Sequence, residues 1–180
     1  QVLEKSIDKF IPGPYMSFVV HMDGLEETHD RGAGKAGTYQ KAISAISEAV
    51  ERGFRVYTNT TVFTDTDFNE IDALFEELTR RGVSGLMISP AYDFEIVGGT
   101  RFLSRKEMSR AFQPLDMFRK KYSFYNTSAY IDFLLGRKDV PCMPWSTPTL
   151  TPRGWRSPCY LLADEHYASY RELMEKTNWD

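Results

Sequence analysis

The chain has 180 residues, of which 42% are apolar and 26% charged, and its formal net charge is −3. This length predicts one domain of ordinary size, and the composition excludes a mainly disordered chain. A slightly acidic chain without a basic run does not fit a nucleic-acid-binding protein that depends on phosphate contacts. Two cysteines exclude a disulfide-dense secreted scaffold, and no apolar run is long enough to span a bilayer, so we expect a cytoplasmic protein.

Both ends of the chain have the pattern of an interrupted sequence. The first residue is Gln1 rather than Met, and a helix-like apolar pattern starts at once with Val2 and Leu3. At the other end, Trp179 lies one residue before the last. We therefore expect an internal piece of a longer protein.

A repeated strand and helix pattern occupies the first half. The near-continuous apolar run at residues 15–24 predicts a strand buried on both faces. Further strands are predicted at residues 54–62 and 85–89, with amphipathic helices over residues 39–52 and 67–78 between them. Asp67 and Glu70, three positions apart, have the spacing of a capping box at the start of the second helix.

This alternation is the βαβ pattern of a parallel sheet with helices packed on it. A closed eight-stranded barrel takes roughly 200 to 250 residues, so three units predict part of a barrel or a small open sheet, and we favour part of a barrel. The predicted barrel core covers residues 1–103. A mostly helical or irregular extension covers residues 104–180.

The extension begins with a second capping box, Ser104 and Glu107, and the helix that follows should break at Pro114. Residues 128–135 predict a short helix, and the apolar spacing near residues 167–174 predicts a last one. Residues 140–160 combine prolines, tryptophans and both cysteines without a clear period.

Candidate ligand-binding residues follow the predicted strands, because ligands of α/β proteins bind at the carboxyl ends of strands. They are His21, Asp23, Asn59, Thr60, Ser89 and Tyr92. His21 and Asp23 form an H-x-D pair, which suits the metal site of a metal-dependent hydrolase. Such a site needs more ligands from later strand ends, but His29 is predicted in a loop and His166 in a helix. The alternative is a hydrogen-bonded core histidine with Asp23 capping the turn at Gly24. Asn59 either orients a ribose hydroxyl or ends its strand.

Two other features point less directly to function. The glycine-rich residues 32–37 lack the Gly-Lys-Ser/Thr ending of a phosphate-binding loop, so they predict a flexible connection into the next helix. Cys142 and Cys159 could supply half of the ligands of a zinc or iron-sulfur site. The alternative is that both are buried structural thiols.

Several segments together resemble one family. Residues 20–31 (VHMDGLEETHDR) resemble a stretch of radical S-adenosylmethionine (SAM) enzymes. The sequence is also similar, in order and from end to end, to the hopanoid-biosynthesis radical SAM proteins. This similarity is carried by residues 59–63 (NTTVF), 82–92 (GVSGLMISPAY), 102–105 (FLSR), 141–145 (PCMPW), 154–162 (GWRSPCYLL) and 170–180.

The resemblance implies a partial radical SAM (β/α) barrel, similar to a TIM barrel, followed by a Cys-, Trp- and Pro-containing extension. In such enzymes a [4Fe-4S] cluster reduces SAM, and the 5'-deoxyadenosyl radical adds to the alkene of diploptene to give adenosylhopane. The CxxxCxxC motif that holds the cluster does not occur in this sequence. We therefore assign no catalytic residue to the chain and expect it to be inactive by itself. The alternatives within this resemblance are a radical SAM relative with a different substrate and a catalytically silent domain of the same fold.

The resemblance also implies roles for particular residues. The SAM ribose and amino-acid groups would contact His21, Asp23, Asn59 and Thr60, and the adenine would lie near residues 88–89, which are Ile88 and Ser89. Cys142 and Cys159 correspond to cysteines of the family's extension and are candidate ligands of an auxiliary cluster.

The family resemblance carries further expectations about substrate and partners. The expected partners are a polycyclic triterpene, reached at the inner membrane surface by peripheral contact, and an electron donor such as flavodoxin or ferredoxin. The aromatic residues of 94–102, with Phe118, Tyr122, Phe124 and Tyr125, either line an apolar substrate cleft or belong to the core.

One departure from the family bears on the product. Where adenosylhopane-forming members have a cysteine that is a candidate hydrogen donor to the product radical, this chain has Gly34. Glycine has no thiol, so either another group quenches the radical or the product differs.

Overall fold

The computed structural model describes residues 6–91, 102–141, 143, 148–157 and 165–177. By contacts between residues the chain divides into two compact units. Among the described residues, the first unit contains 6–91 and 102–138, and the second contains 139–141, 143, 148–157 and 165–177. Residues 104–138 thus pack with the first unit, while the division into barrel core and extension at residue 103 stays a prediction.

A parallel sheet forms the centre of the first unit. Its strands are β1 (Ser17–His21), β2 (Arg55–Val62) and β3 (Gly85–Pro90), in the order β1-β2-β3. β1 and β2 lie within the predicted strands, and β3 extends one residue beyond the predicted 85–89, to Pro90. His21 is the register partner of Asn59, and Asn59 is that of Met87, so the carboxyl ends lie at one edge of the sheet. In the described part of the chain the sheet is open, and the partial barrel stays a prediction.

Helices connect the strands. A 3-10 turn (Ile7–Lys9) precedes β1, helices α1 (Glu26–Gly32) and α2 (Thr38–Glu51) follow it, and α3 (Phe68–Arg80) follows β2. Helices α2 and α3 confirm the predicted amphipathic helices, because Ile43 and Ile46 of α2 and Ile71 and Leu74 of α3 are buried in one core. Helix α1 was not expected, since His29 was predicted in a loop and residues 32–37 were predicted to be a flexible connection.

The sheet continues past β3 in the same direction. After β3 come α4 (Arg105–Ala111) and α5 (Leu115–Lys121), separated at Pro114 as predicted. Phe124 then makes a parallel bridge to Leu86, and helix α6 (Ser128–Leu134) follows. The capping box of Ser104 and Glu107 at the start of α4 is confirmed. The chain therefore adds one parallel segment after another in sequence order.

The two faces of the sheet differ. On β2 the even-numbered residues are fully buried against the helices, whereas Tyr57, Asn59 and Thr61 on the other face are only partly buried. We call this second face the open face. Val19 of β1 lies on it and is 59% exposed, so the prediction that the first strand is buried on both faces is wrong. The reason is that β1 is the edge strand of the described sheet and the described helices cover one of its faces.

The second unit is a small antiparallel sheet with one helix. Its strands are β4 (Thr149–Thr151), β5 (Gly154–Arg156) and β6 (His166–Tyr167), in the order β4-β5-β6, and α7 (Tyr170–Lys176) follows. The Trp155 and Tyr170 rings pack edge to face with centroids 5.1 Å apart. The last helix is confirmed, but the strands were not predicted, and His166 lies in a strand rather than in a helix.

Candidate functional site

Three of the predicted site residues lie together at the carboxyl end of the open face. His21 is the register partner of Asn59 across β1 and β2. Ser89 of β3 is the partner of Thr61, which is two residues beyond Asn59 on the same face. All of these side chains are exposed or partly buried. The open face therefore presents an imidazole, an amide and hydroxyl groups at the edge where α/β proteins bind ligands.

Two other predicted residues lie on the opposite face. The side chains of Thr60 and Ile88 are fully buried against the helices. The Thr60 hydroxyl donates a hydrogen bond to the main-chain oxygen of Met22 at 2.7 Å, so it joins β1 to β2. In this arrangement neither side chain contacts a ligand on the open face.

His21 and Asp23 form a close pair at the end of β1. The distance from His21 Nε2 to Asp23 Oδ2 is 2.6 Å. The other oxygen, Asp23 Oδ1, accepts a hydrogen bond from the Thr61 main-chain N–H at 2.8 Å. The hydrogen bond to Asp23 raises the pKa of His21, which favours the protonated imidazole. His21 is about half exposed, so its ring faces solvent and the open face.

The turn after Asp23 is tied to the start of α3. Glu70 Oε1 accepts a hydrogen bond from the Leu25 main-chain N–H at 2.8 Å, and Oε2 accepts one from the Thr28 hydroxyl at 3.0 Å. The predicted capping box of Asp67 and Glu70 is therefore only half correct. Asp67 caps α3 through the Asn69 N–H, but the Glu70 carboxylate turns to the neighbouring loop.

His29 lies in α1 and is buried. Its Nδ1 atom is 3.4 Å from the Asp23 main-chain N–H, which donates to it. Burial lowers the pKa of His29, so the neutral ring is favoured. Asp30, the next residue, accepts hydrogen bonds from the Gly37 and Tyr39 N–H groups and thereby caps α2.

The alternative of a metal-dependent hydrolase requires a group of metal ligands. Among the residues it describes, no group of three or more His, Cys, Asp or Glu side chains is arranged to hold a metal ion. His21 and Asp23 contact each other, and the ring of His29 accepts from a main-chain N–H. Cys142, Cys159 and Tyr92 lie outside the described residues.

A cavity of about 850 Å³ runs along the free edge of β1. Phe18 and Val19, which lie on opposite faces of the strand, both line it, so the cavity passes around the strand edge. Lys9, Lys35 and Lys41 line its rim. A second, polar cavity of about 290 Å³ lies beside the strand ends. It is lined by Asp23, Thr28, Arg31, Gly32, Phe63, Asp65, Thr66, Asp67 and Glu70.

The aromatic residues divide between core and surface. Phe118 and Tyr122 are buried in the core of the first unit, and Phe124 packs against it, as the alternative interpretation expected. Tyr125 is exposed, and its ring packs against that of Tyr57 with centroids 4.5 Å apart. Residues 94–101 lie outside the described part of the chain.

Comparison with known proteins gives one family. The sequence model described as Domain of unknown function (DUF3463) matches residues 86–180, which is more than half of the chain. No curated protein matches the sequence. In the parts of the chain that the structure describes, no helix is both long and apolar enough to cross a membrane.

Proposed function

The chain belongs to the DUF3463 family, and we propose that it is part of a radical SAM enzyme of hopanoid biosynthesis. In this proposal SAM binds at the carboxyl end of the open face, and its radical adds to the alkene of a polycyclic triterpene such as diploptene. The observation that carries the proposal is the group of His21, Asn59 and Ser89 on the face of the parallel sheet that the described helices of the first unit leave open.

The order of the strands supports the barrel part of the proposal. In a doubly wound sheet helices lie on both faces, whereas successive units of a barrel put all helices on the outer face. Here β1, β2, β3 and the bridge at Phe124 follow one another in sequence order, and helices α2 to α6 share one core with one face of the sheet. The open face would then be the inner wall of the barrel, and the cavity beside β1 would receive the preceding barrel unit.

The residues of the open face fit the polar parts of SAM. SAM, once reductively cleaved, supplies the radical. The second ring nitrogen of His21, which does not contact Asp23, suits a carboxylate or a hydroxyl oxygen when it carries a proton. Asn59 both donates and accepts, which suits a ribose diol. Thr60 and Ile88 contribute through the main chain and through packing, because their side chains are buried on the other face.

The residues of this chain do not fit the cluster that reduces SAM. The two cysteines of the sequence cannot form the CxxxCxxC motif, so we propose that the cluster and the electron donor, such as flavodoxin or ferredoxin, act through other parts of the full protein. An apolar triterpene further implies a cytoplasmic enzyme in peripheral contact with the inner membrane. Cys142 and Cys159 stay candidate ligands of an auxiliary cluster.

The first test is to read the parent gene on both sides of this segment and to assay the complete protein under anaerobic conditions. We expect an upstream CxxxCxxC motif, SAM-dependent release of 5'-deoxyadenosine and an adenosylated triterpene. His21→Asn and Asn59→Ala should weaken SAM binding, whereas Ser17→Ala, on the same face at the other end of β1, should not. A complete reading frame without the motif, or a cluster-loaded protein that forms no 5'-deoxyadenosine, would refute the proposal.

The position of Gly34 allows a test of the product. Gly34 follows α1 with φ +64°, and no atom lies within 4 Å of the place that a Cβ would take. A Gly34→Cys variant therefore has room for its thiol, with some backbone strain. If a cysteine here donates hydrogen to the product radical, this variant should change the ratio of products, while Gly34→Ser should not.

A further inference from the structure

Glu70 connects two elements that are far apart in the sequence. It lies in the first turn of α3, and its two oxygens accept hydrogen bonds from Leu25 and Thr28, which begin the segment after β1. Gly24 lies so close that a Cβ there would be 2.9 Å from Glu70 Oε1 and 2.8 Å from Thr28 Cβ. The absence of a side chain at Gly24 thus permits the close approach of the carboxylate to the turn.

The same turn determines where Asp23 lies. Asp23 directly precedes Gly24, and its two oxygens contact the Thr61 N–H at 2.8 Å and His21 Nε2 at 2.6 Å. These contacts orient the imidazole of His21 at the end of β1. If the turn moved, the Asp23 carboxylate would lose the geometry of both contacts. The position of the His21 ring therefore depends on the residues that hold the turn.

From this geometry we infer that Glu70 is a positioning residue, which holds the turn at Gly24 and, through Asp23, orients His21 on the open face. Its use in SAM binding rests on the function proposed above, but the positioning itself does not. A role confined to helix capping does not account for the contacts, because Asp67 already caps α3 and the Glu70 carboxylate is bonded to Leu25 and Thr28 instead.

The test is an NMR titration of the His21 ring in this chain, which measures its pKa without SAM or cluster. The titratable groups near His21 are Asp23 and His29, and Lys9, Lys35 and Lys41 line the same cavity as His21. Asp23→Asn defines the pKa of His21 without its carboxylate partner. We expect Glu70→Ala to lower the pKa of His21 by most of the amount by which Asp23→Asn lowers it. Glu70→Gln keeps an acceptor for the Leu25 N–H and should leave the pKa of His21 near the wild-type value.

Two variants serve as controls. Glu76→Ala removes an exposed carboxylate from the same helix and should leave the pKa of His21 unchanged. Tyr122→Phe removes a hydrogen bond elsewhere in the first unit and tests whether lower stability alone moves the pKa.

The outcomes separate the possibilities. A folded Glu70→Ala variant with the wild-type pKa of His21 would overturn the inference, and so would equal decreases in Glu70→Ala and Tyr122→Phe. Should Glu70→Ala not fold, Glu70→Asp, which is shorter by one methylene, replaces it with the same expected direction. Unfolding of both would assign Glu70 to stability alone and overturn the inference too. Failure of the full protein to form 5'-deoxyadenosine would refute the proposed function without affecting this result.

Discussion

Thr58 and Thr60 give a matched test of the hydrogen bonding in β2. Both are fully buried, and both lie on the helix-covered face of the same strand. They differ in the hydroxyl group. Thr60 Oγ1 donates to Met22 O at 2.7 Å, whereas Thr58 Oγ1 has no hydrogen-bond partner among the described residues. Substitution by valine keeps the shape of each side chain and exchanges the hydroxyl for a methyl group.

The two substitutions should have opposite effects on the free energy of unfolding. Thr58→Val removes a buried hydroxyl that gains no hydrogen bond, which should stabilise the protein by about 1 kcal/mol. Thr60→Val removes a hydrogen bond and leaves a buried carbonyl short of a donor, which should cost about 1–2 kcal/mol. The variants should therefore differ by roughly 2–3 kcal/mol.

Urea denaturation monitored by circular dichroism measures this difference. With a slope of about 2 kcal/mol per molar urea, the two midpoints should lie about 1–1.5 M apart, with the wild-type midpoint between them. The slope itself should not change, because neither substitution alters the surface exposed on unfolding. The reasoning would be refuted if both midpoints shifted in the same direction by similar amounts. The hydrogen bond of Thr60 would then account for no difference in stability between the two substitutions.

Three further predictions concern other parts of the first unit. Burial lowers the pKa of His29 below 6.5, so the His29 ring binds a proton more readily in the unfolded chain than in the folded one. The free energy of unfolding should therefore fall as the pH drops below about 6.5. His29→Gln should reduce this decrease when the free energy of unfolding is measured against pH. Tyr122 donates to Asp72 Oδ1 at 2.5 Å, and Tyr122→Phe should cost about 1–2 kcal/mol in urea denaturation. Ser104 caps α4, and Ser104→Ala should cost about 1 kcal/mol and increase amide hydrogen exchange at Glu107.

The sequence predicted most regular elements of the first unit, because these elements have a strong local signal. Helices α2 and α3 have apolar residues at helical spacing, β2 is a short run rich in β-branched residues, and β3 begins with a short apolar run. Pro114 separates α4 from α5 because it cannot continue a helix. These properties act within a few residues of the chain, so a single sequence carries them.

Contacts between distant residues were not predicted. The spacing of Asp67 and Glu70 resembles a capping box, but the carboxylate of Glu70 accepts from Leu25, which is 45 residues away. The short strands of the second unit have three residues or fewer and depend on pairing with one another rather than on propensity. Helix α1 was also missed, since its sequence is mostly charged and only His29 is buried.

The sequence of β2 does contain a signal for which of its residues are buried. Thr58, Asn59, Thr60 and Thr61 are all polar, so polarity alone does not separate the two faces. Val56 and Val62, however, are apolar and lie on either side of this segment, and side chains alternate along a strand. Positions of the same parity therefore belong to the buried face.

The same alternation along the strands separates the candidate site residues into those on the buried face and those on the open face. Thr58 and Thr60 share the parity of the two valines, and Ile88 shares that of Leu86 in β3, so all three face the helices. Asn59 and Ser89 have the opposite parity and lie on the open face with His21. In the proposed function, a ligand on the open face would therefore contact the side chains of His21, Asn59 and Ser89. Substitutions of the residues that face the helices should change the stability of the protein before they change ligand binding.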